Sequence, residues 1–155
     1  MKETKQMKSS RKTKNQITTN DAAPEIKHID DMDWETSRFG SKCKFLFHPN
    51  VDRPTEPNAG LLCYEAGATF VLHRHDFAQI WYVIDGECQY GDTILRAGNI
   101  VYHPDPHFEH DMYTENGCTV LFVQYPGPTT GAVPLYDGRM NLQRAETIDE
   151  LDLEI

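Results

Sequence analysis

The stretch that decides the fold is "GATFVLHRHDFAQIWYVIDG", residues 67–86, in which two histidines stand one residue apart just before a β-prone run. In a strand, residues i and i+2 share a face and lie about 6.6 Å apart, at roughly 3.3 Å per residue. His73 and His75 therefore point the same way. A bend after them would let Gln79 open the next strand and come back towards them. Imidazole is a common ligand of transition metals, so the spacing favours a metal site over two exposed side chains at a strand end only if further ligands exist.

The residues around this stretch form short β-prone runs separated by turn residues. From Leu61 to Tyr125, breaks fall at Ala66-Gly67, Asp85-Gly86, Gly91-Asp92, Ala97-Gly98, Pro104 to Pro106 and Asn116-Gly117. Strands at roughly 8–12-residue spacing predict an all-β sandwich or barrel. The sequence shows no long segment of helical period in this region.

Charge and composition divide the chain into three parts. Residues 1–20 hold six Lys/Arg and one Glu and so carry a charge of +5. The other residues carry −14, and the two parts sum to the net charge of −9. We expect a disordered basic tail over 1–23, one domain over 24–142 and an acidic tail over 143–155, whose end could form a short amphipathic helix or fray. An acidic body argues against nucleic acid as the main partner, because phosphate contacts need clustered positive charge.

The chain lacks the signals of a membrane or secreted protein. No segment approaches the ~20 consecutive apolar residues of a membrane span, and the basic N-terminus lacks the apolar core of a signal peptide. The four cysteines are widely spaced and form no CxxC pair, which suits neither a thiolate zinc site nor a disulfide scaffold. We therefore expect a cytoplasmic protein that binds no membrane.

A second histidine-rich stretch, "GNIVYHPDPHFEHD" at residues 98–111, completes a pattern that resembles the cupin superfamily. The first cupin motif, G(x)5HxH(x)3–4E(x)6G, is matched by residues 67–86 except that Gln79 replaces the glutamate. The second motif, G(x)5PxG(x)2H(x)3N, is matched by Gly98 and Pro104, whereas the expected histidine position falls on Glu109. The segments "W…RFG", "GC…LFV" and "YDGR" are most similar to the single-domain cupins related to the anti-sigma factor ChrR and to acetylacetone and dihydroxyacetophenone dioxygenases.

The resemblance implies a jelly-roll barrel that holds one divalent metal ion. Carried over to this chain, the ligands are His73, His75, Gln79 and His110, with His107 in reserve for His110. The resemblance favours Fe(II), with Mn, Ni or Zn as alternatives. With Gln79 in place of glutamate, the ligand set adds no negative charge, so the cation keeps its full charge towards an open position.

The resemblance also implies an enzyme that acts on a small oxygenated organic molecule. A dioxygenase that cleaves a carbon–carbon bond of a diketone or hydroxyketone is the leading hypothesis. A non-redox isomerase or lyase, and a non-catalytic sensor of a metal or small molecule, remain alternatives. Cupins with an HxH(x)3Q pattern are known among the non-redox enzymes, including lyases and those that process uronates.

The strand parity predicts where the neighbouring side chains point. If His110 points inward, Glu109 points outward, because adjacent strand residues face opposite sides. His103 is expected at the surface, with a position behind the metal ligands as the alternative. Trp81 and Val83 share the parity of Gln79 and are expected in the core. Large apolar residues on the opposite parity should face outward and predict a homodimer: Phe70, Leu72, Ile80, Tyr82 and Ile84.

Overall fold

The computed structural model describes residues 21–36, 41–48, 52–53, 55–75, 77–125 and 146–147. The predicted basic tail, apart from residues 21–23, lies outside the described residues. The predicted C-terminal helix also lies outside the described residues, except that residues 146–147 form a short strand. Statements about the fold below concern the described part of the chain.

Antiparallel strands build the described part of the chain, together with one short 3-10 turn, Ile29–Asp31. The strands are β1 (Glu35–Thr36), β2 (Lys42–Phe47), β3 (Asn58–Tyr64), β4 (Thr69–Phe70), β5 (His73–His75), β6 (Ala78–Tyr90), β7 (Thr93–Arg96), β8 (Ile100–His103), β9 (His107–Glu109), β10 (Met112–Tyr113), β11 (Cys118–Tyr125) and β12 (Glu146–Thr147). None of the described elements is a helix long and apolar enough to cross a membrane.

Two sheets share these strands. The larger has the order β1-β2-β3-β11-β6-β10-β4, with β7 and β8 also paired to β6, and the smaller has the order β12-β5-β9. The first half of β6 pairs with β8 and β11, and its second half pairs with β7 and β10. The long strand β6 therefore connects the two ends of the larger sheet.

The predicted break at Asp85-Gly86 is a kink inside β6 rather than a strand end. Gly86 has φ of 74°, a region that favours glycine, and a Cβ there would collide with the Gly117 carbonyl oxygen. The chain turns at this point because only a residue without a side chain fits against β11. Hydrogen bonding continues on both sides of the kink, so β6 runs through it.

The core lies on the inner face of the larger sheet. Trp81 and Val83 are buried there, as predicted, and pack with Phe45, Leu62, Val120 and Phe122. Phe70 is also buried, at 4% exposure, so the prediction that it faces outward is wrong. Residues Val71 and Leu72 separate β4 from β5, and the two strands belong to different sheets. Parity therefore does not carry from His73 back to Phe70.

Candidate metal centre

The smaller sheet brings the two histidine-rich stretches of the sequence together. Strands β5 and β9 pair antiparallel with His73 opposite Glu109 and His75 opposite His107. All four side chains are buried on the inner face, whereas the intervening Phe108 is 55% exposed. Side chains alternate in the same way along the two paired strands, which places three imidazoles and one carboxylate on the same side.

The potential ligand atoms of this cluster converge. The Nε2 atoms of His73 and His75 lie 3.0 Å apart. Glu109 places Oε2 3.2 Å from His73 Nε2 and Oε1 3.3 Å from His75 Nε2. His107 Nε2 lies slightly farther away, 3.7 Å from Glu109 Oε1. The ligand atoms of His73, His75 and Glu109 all lie within 4.8 Å of one another.

Backbone carbonyls fix the orientation of two of the rings. His73 Nδ1–H donates to the Val71 carbonyl at 2.7 Å, and His107 Nδ1–H donates to the Pro104 carbonyl at 2.8 Å. In a neutral imidazole this leaves Nε2 with a free lone pair, directed at the cluster. A ligating histidine in a metalloprotein usually has its second nitrogen held in this way.

The cluster fits a first-row divalent ion. Metal–nitrogen and metal–oxygen bonds of about 2.0–2.2 Å place neighbouring ligand atoms roughly 3 Å apart at right angles and about 3.4 Å apart in a tetrahedron. The separations of 3.0 to 3.3 Å among His73, His75 and Glu109 lie in this range. Two Nε2 lone pairs at 3.0 Å would repel each other without a proton or a cation between them.

The electrostatics of the cluster also suit a cation. Burial opposes ionisation of Glu109, but attraction to His75 and hydrogen bonds with His107, His73 and His75 hold the pKa of this carboxyl well below its usual range. Burial lowers the pKa of His75, although the attraction of Glu109 opposes this shift. The lowered pKa keeps the His75 ring neutral, so that a nitrogen lone pair is available to a metal ion. A metal ion binds carboxylates and imidazoles in their deprotonated forms, which is the form that these shifts favour for Glu109 and His75.

Gln79, which the sequence predicted as a ligand, lies beside the cluster. Its amide nitrogen donates a hydrogen bond to Glu109 Oε1 and lies 3.4 Å from His107 Nε2. Its oxygen faces Gln124, whose nitrogen is 3.4 Å away. In this arrangement Gln79 contacts a candidate ligand, and its role as a ligand itself stays a prediction.

The structure does not bring His110 into the cluster, where the sequence had placed it. His110 follows β9, is exposed, and packs edge-on against Tyr90 and Phe108, with ring centroids 5.2 and 5.0 Å away. Inward positions in β9 are His107 and Glu109, so strand alternation turns His110 outward. The motif position that fell on Glu109 was the signal for this arrangement.

Two further buried residues lie near the cluster. His103, expected at the surface, is 4% exposed, and its Nε2 shares a 2.8 Å hydrogen bond with the Tyr90 hydroxyl. Its register opposite Gln79 in β6 turns it inward. Burial lowers the pKa of His103 to about 4, so the ring is neutral. Phe77 packs on His75 with ring centroids 4.7 Å apart and closes one side of the cluster; nothing in the sequence indicated this contact.

A barrel of antiparallel strands with buried histidines and a carboxylate on its inner face places the chain among the small antiparallel β-barrels. Within that class the chain belongs to the ChrR cupin-like domain family, whose model matches residues 22–127. The match confirms the resemblance drawn from residues 67–111. No curated protein matches the chain.

Solved structures of cupins share the fold. A proposed acetylacetone dioxygenase from Methylibium petroleiphilum PM1 is 14% identical with a TM-score of 0.58, over 87% of this chain and 96% of that one. KdgF from Halomonas sp. is 21% identical with a TM-score of 0.57, over 70% and 98%. An RmlC-like cupin from Shewanella frigidimarina is 21% identical with a TM-score of 0.55, over 70% and 96%. At these identities the likeness establishes the all-β cupin fold.

Proposed function

We propose that the protein is a mononuclear metal-dependent dioxygenase that cleaves a carbon–carbon bond of a small diketone or hydroxyketone. The observation that carries this proposal is the convergence of two imidazoles and one carboxylate, from His73, His75 and Glu109. A set of two histidines and one carboxylate with open positions is typical of non-haem Fe(II) oxygenases and supports the proposal. His107 Nε2 lies 3.7 Å from Glu109 Oε1, at the edge of this set.

A metal ion held by His73, His75 and Glu109 would supply a Lewis acid for the substrate's enolate and a redox centre for oxygen. The residues of the chain then set the environment of the reaction. Phe70 packs edge-on against His73 with ring centroids 5.3 Å apart, and Phe77 packs on His75. These rings exclude water from two sides, which strengthens the electrostatic interactions of a bound enolate.

The similarity to a proposed acetylacetone dioxygenase supports the substrate class. That structure matches 87% of this chain, more than the two other cupins described above. The reaction balances as one β-diketone plus one O2 giving one carboxylic acid and one dicarbonyl fragment, with an oxygen atom of O2 in each product.

The experiment that tests this function begins with elemental analysis of the purified protein. The metal-free protein is then loaded anaerobically with Fe(II) or Zn(II) and mixed with a panel of β-diketones and hydroxyketones in an oxygen electrode. The proposal expects oxygen uptake only with iron, in a 1:1 ratio to the substrate consumed. The Glu109→Gln variant should lose this uptake.

Tightly held zinc without oxygen uptake under any loading would overturn the dioxygenase. It would favour either the non-redox enzyme or a sensor module, and the family's ChrR-related members keep the sensor as the second candidate. The two are separated by following substrate loss in the zinc-loaded protein, since only an enzyme turns over a substrate.

A further inference from the structure

Three buried amide side chains lie side by side next to the candidate metal centre. Asn58 on β3, Gln124 on β11 and Gln79 on β6 are 1–2% exposed. Strand pairing places Gln124 directly opposite Asn58 on one side and Gln79 on the other. They come from positions up to 66 residues apart in the sequence, and only the sheet brings them into one row.

Hydrogen bonds connect this row to the cluster. Asn58 Nδ2 donates to Gln124 Oε1 at 3.0 Å, and Gln124 Nε2 lies 3.4 Å from Gln79 Oε1 in donor geometry. Gln79 Nε2 then donates to Glu109 Oε1. Each amide therefore donates towards the carboxylate, and Gln124 and Gln79 each accept from the amide behind them.

The chemistry of the last acceptor sets this direction. An ionised carboxylate can only accept hydrogen bonds, so Gln79 must turn its NH2 group towards Glu109. Its oxygen then faces Gln124, which must present NH2, and the same argument orients Asn58. Such a one-way row leaves one acceptor unused at its far end. In the described part of the chain, Asn58 Oδ1 is buried without a hydrogen-bond partner, as this direction requires.

We propose that Asn58, Gln124 and Gln79 form an amide ladder that positions the Glu109 carboxylate for the metal ion. The inference rests on the metal-binding function proposed above and assigns these residues as positioning residues, not ligands. Gln124 fixes the side-chain oxygen of Gln79, and Gln79 in turn fixes the Glu109 carboxylate. The carboxylate therefore loses rotational freedom before a metal ion binds. The ladder also explains a buried polar row in a barrel where apolar side chains would pack without such demands.

The opposite orientation is a distinct and testable alternative. If Gln79 Oε1 bound the metal, Gln79 would present NH2 to Gln124, and all three amides would turn over together. Gln79 would then act directly on the metal, and loss of Gln124 would weaken binding whether or not Glu109 were present.

The test uses Gln124→Met, which removes the middle amide without touching the candidate ligands. Gln89→Met is the matched control, because Gln89 lies on β6 but is exposed. The affinity for Co2+ is measured by chelator competition, and the visible Co2+ spectrum reports the ligand geometry. Outer-shell partners typically change metal affinity about 10–100-fold, and Gln124→Met should weaken Co2+ binding by that factor and alter the spectrum. Gln89→Met should do neither.

A double-mutant cycle separates positioning from a general structural effect. In the Glu109→Gln background, Gln124→Met should cause no further loss of Co2+ affinity, because the ladder acts through the carboxylate. An equal loss in both backgrounds, or a loss below twofold in the native background, would overturn the ladder. If Glu109→Gln alone binds Co2+ as tightly as the native protein, the proposed metal site itself fails. Circular dichroism and thermal melting establish folding, and Asn58→Ser, with a smaller loss expected, replaces Gln124→Met if that variant does not fold.

Discussion

The sharpest test of the candidate centre replaces two adjacent residues, Glu109 and His110, one at a time. Glu109 places its oxygens 3.2–3.7 Å from three imidazole nitrogens, whereas His110 is exposed on the other side of the strand. Glu109→Gln removes the charge with little change in shape. His110→Gln is the matched control at the neighbouring position.

The magnitude follows from metal linkage. Because outer-shell partners already cost about 10–100-fold in metal affinity, we expect loss of a carboxylate ligand to weaken binding by at least about 100-fold. A metal at 100 times its Kd stabilises the native fold by about 2.7 kcal/mol, and at a Kd raised 100-fold the same concentration gives only about 0.4 kcal/mol. The difference, about 2.3 kcal/mol, corresponds to roughly 5–9 °C in Tm for a chain of this size.

The assay is thermal unfolding with and without Zn2+ or Co2+ at a fixed concentration. The native protein and His110→Gln should show the full metal-induced rise in Tm, and Glu109→Gln should lose most of it. A rise preserved in Glu109→Gln and lost in His110→Gln would refute the geometry of β9 and restore the ligand set inferred from the sequence.

Three further predictions concern stability and assembly. Gly60→Val should destabilise the fold by about 1–3 kcal/mol in urea, because a Cβ there would collide with the Lys44 carbonyl and lie 2.6 Å from Phe122 Cζ. The metal-free protein should lose stability as pH falls from about 6.5 towards 4, because His103 takes up a proton in the unfolded state but not in the native state. A pKa lowered to about 4 corresponds to a loss of about 3 kcal/mol in the free energy of unfolding. Urea unfolding at a series of pH values should show a weaker pH dependence for His103→Phe. Light scattering should show that the native protein is a dimer and that Tyr102→Lys is a monomer, because the exposed Tyr82, Ile100 and Tyr102 form an apolar outer face on β6 and β8. A native species of 17.8 kDa would contradict the predicted dimer.

The sequence predicts this fold because local patterns carry most of the information. Turn residues at regular spacing indicate an all-β barrel, and the parity of His73 and His75 follows from strand geometry alone. The buried Trp81 and Val83 follow from the same alternation. These inferences depend on residues within one strand, where a period of two fixes the side of each side chain.

Most placements that the sequence did not predict depend on pairing between distant strands. Glu109 and His110 differ by one residue, and a shift of one position exchanges the two faces. Only the register of β9 against β5 decides between them. His103 turns inward for the same reason, through its pairing with β6. Phe70 is buried because a break separates it from His73.

The buried polar groups of the barrel are better explained by metal binding than by stability. A carboxylate removed from water costs several kcal/mol unless it is paired, and each buried polar atom without a partner costs roughly 1–3 kcal/mol. Within the described residues, Asn58 Oδ1 and Trp81 Nε1 lack hydrogen-bond partners, while Glu109 is 4% exposed among histidines. Apolar residues at these positions would avoid such costs, as they do in the core around Phe45, Val120 and Phe122. A cation at the cluster would offset the charge of Glu109 and the repulsion between the imidazoles at once, which accounts for buried polar side chains beside an apolar core.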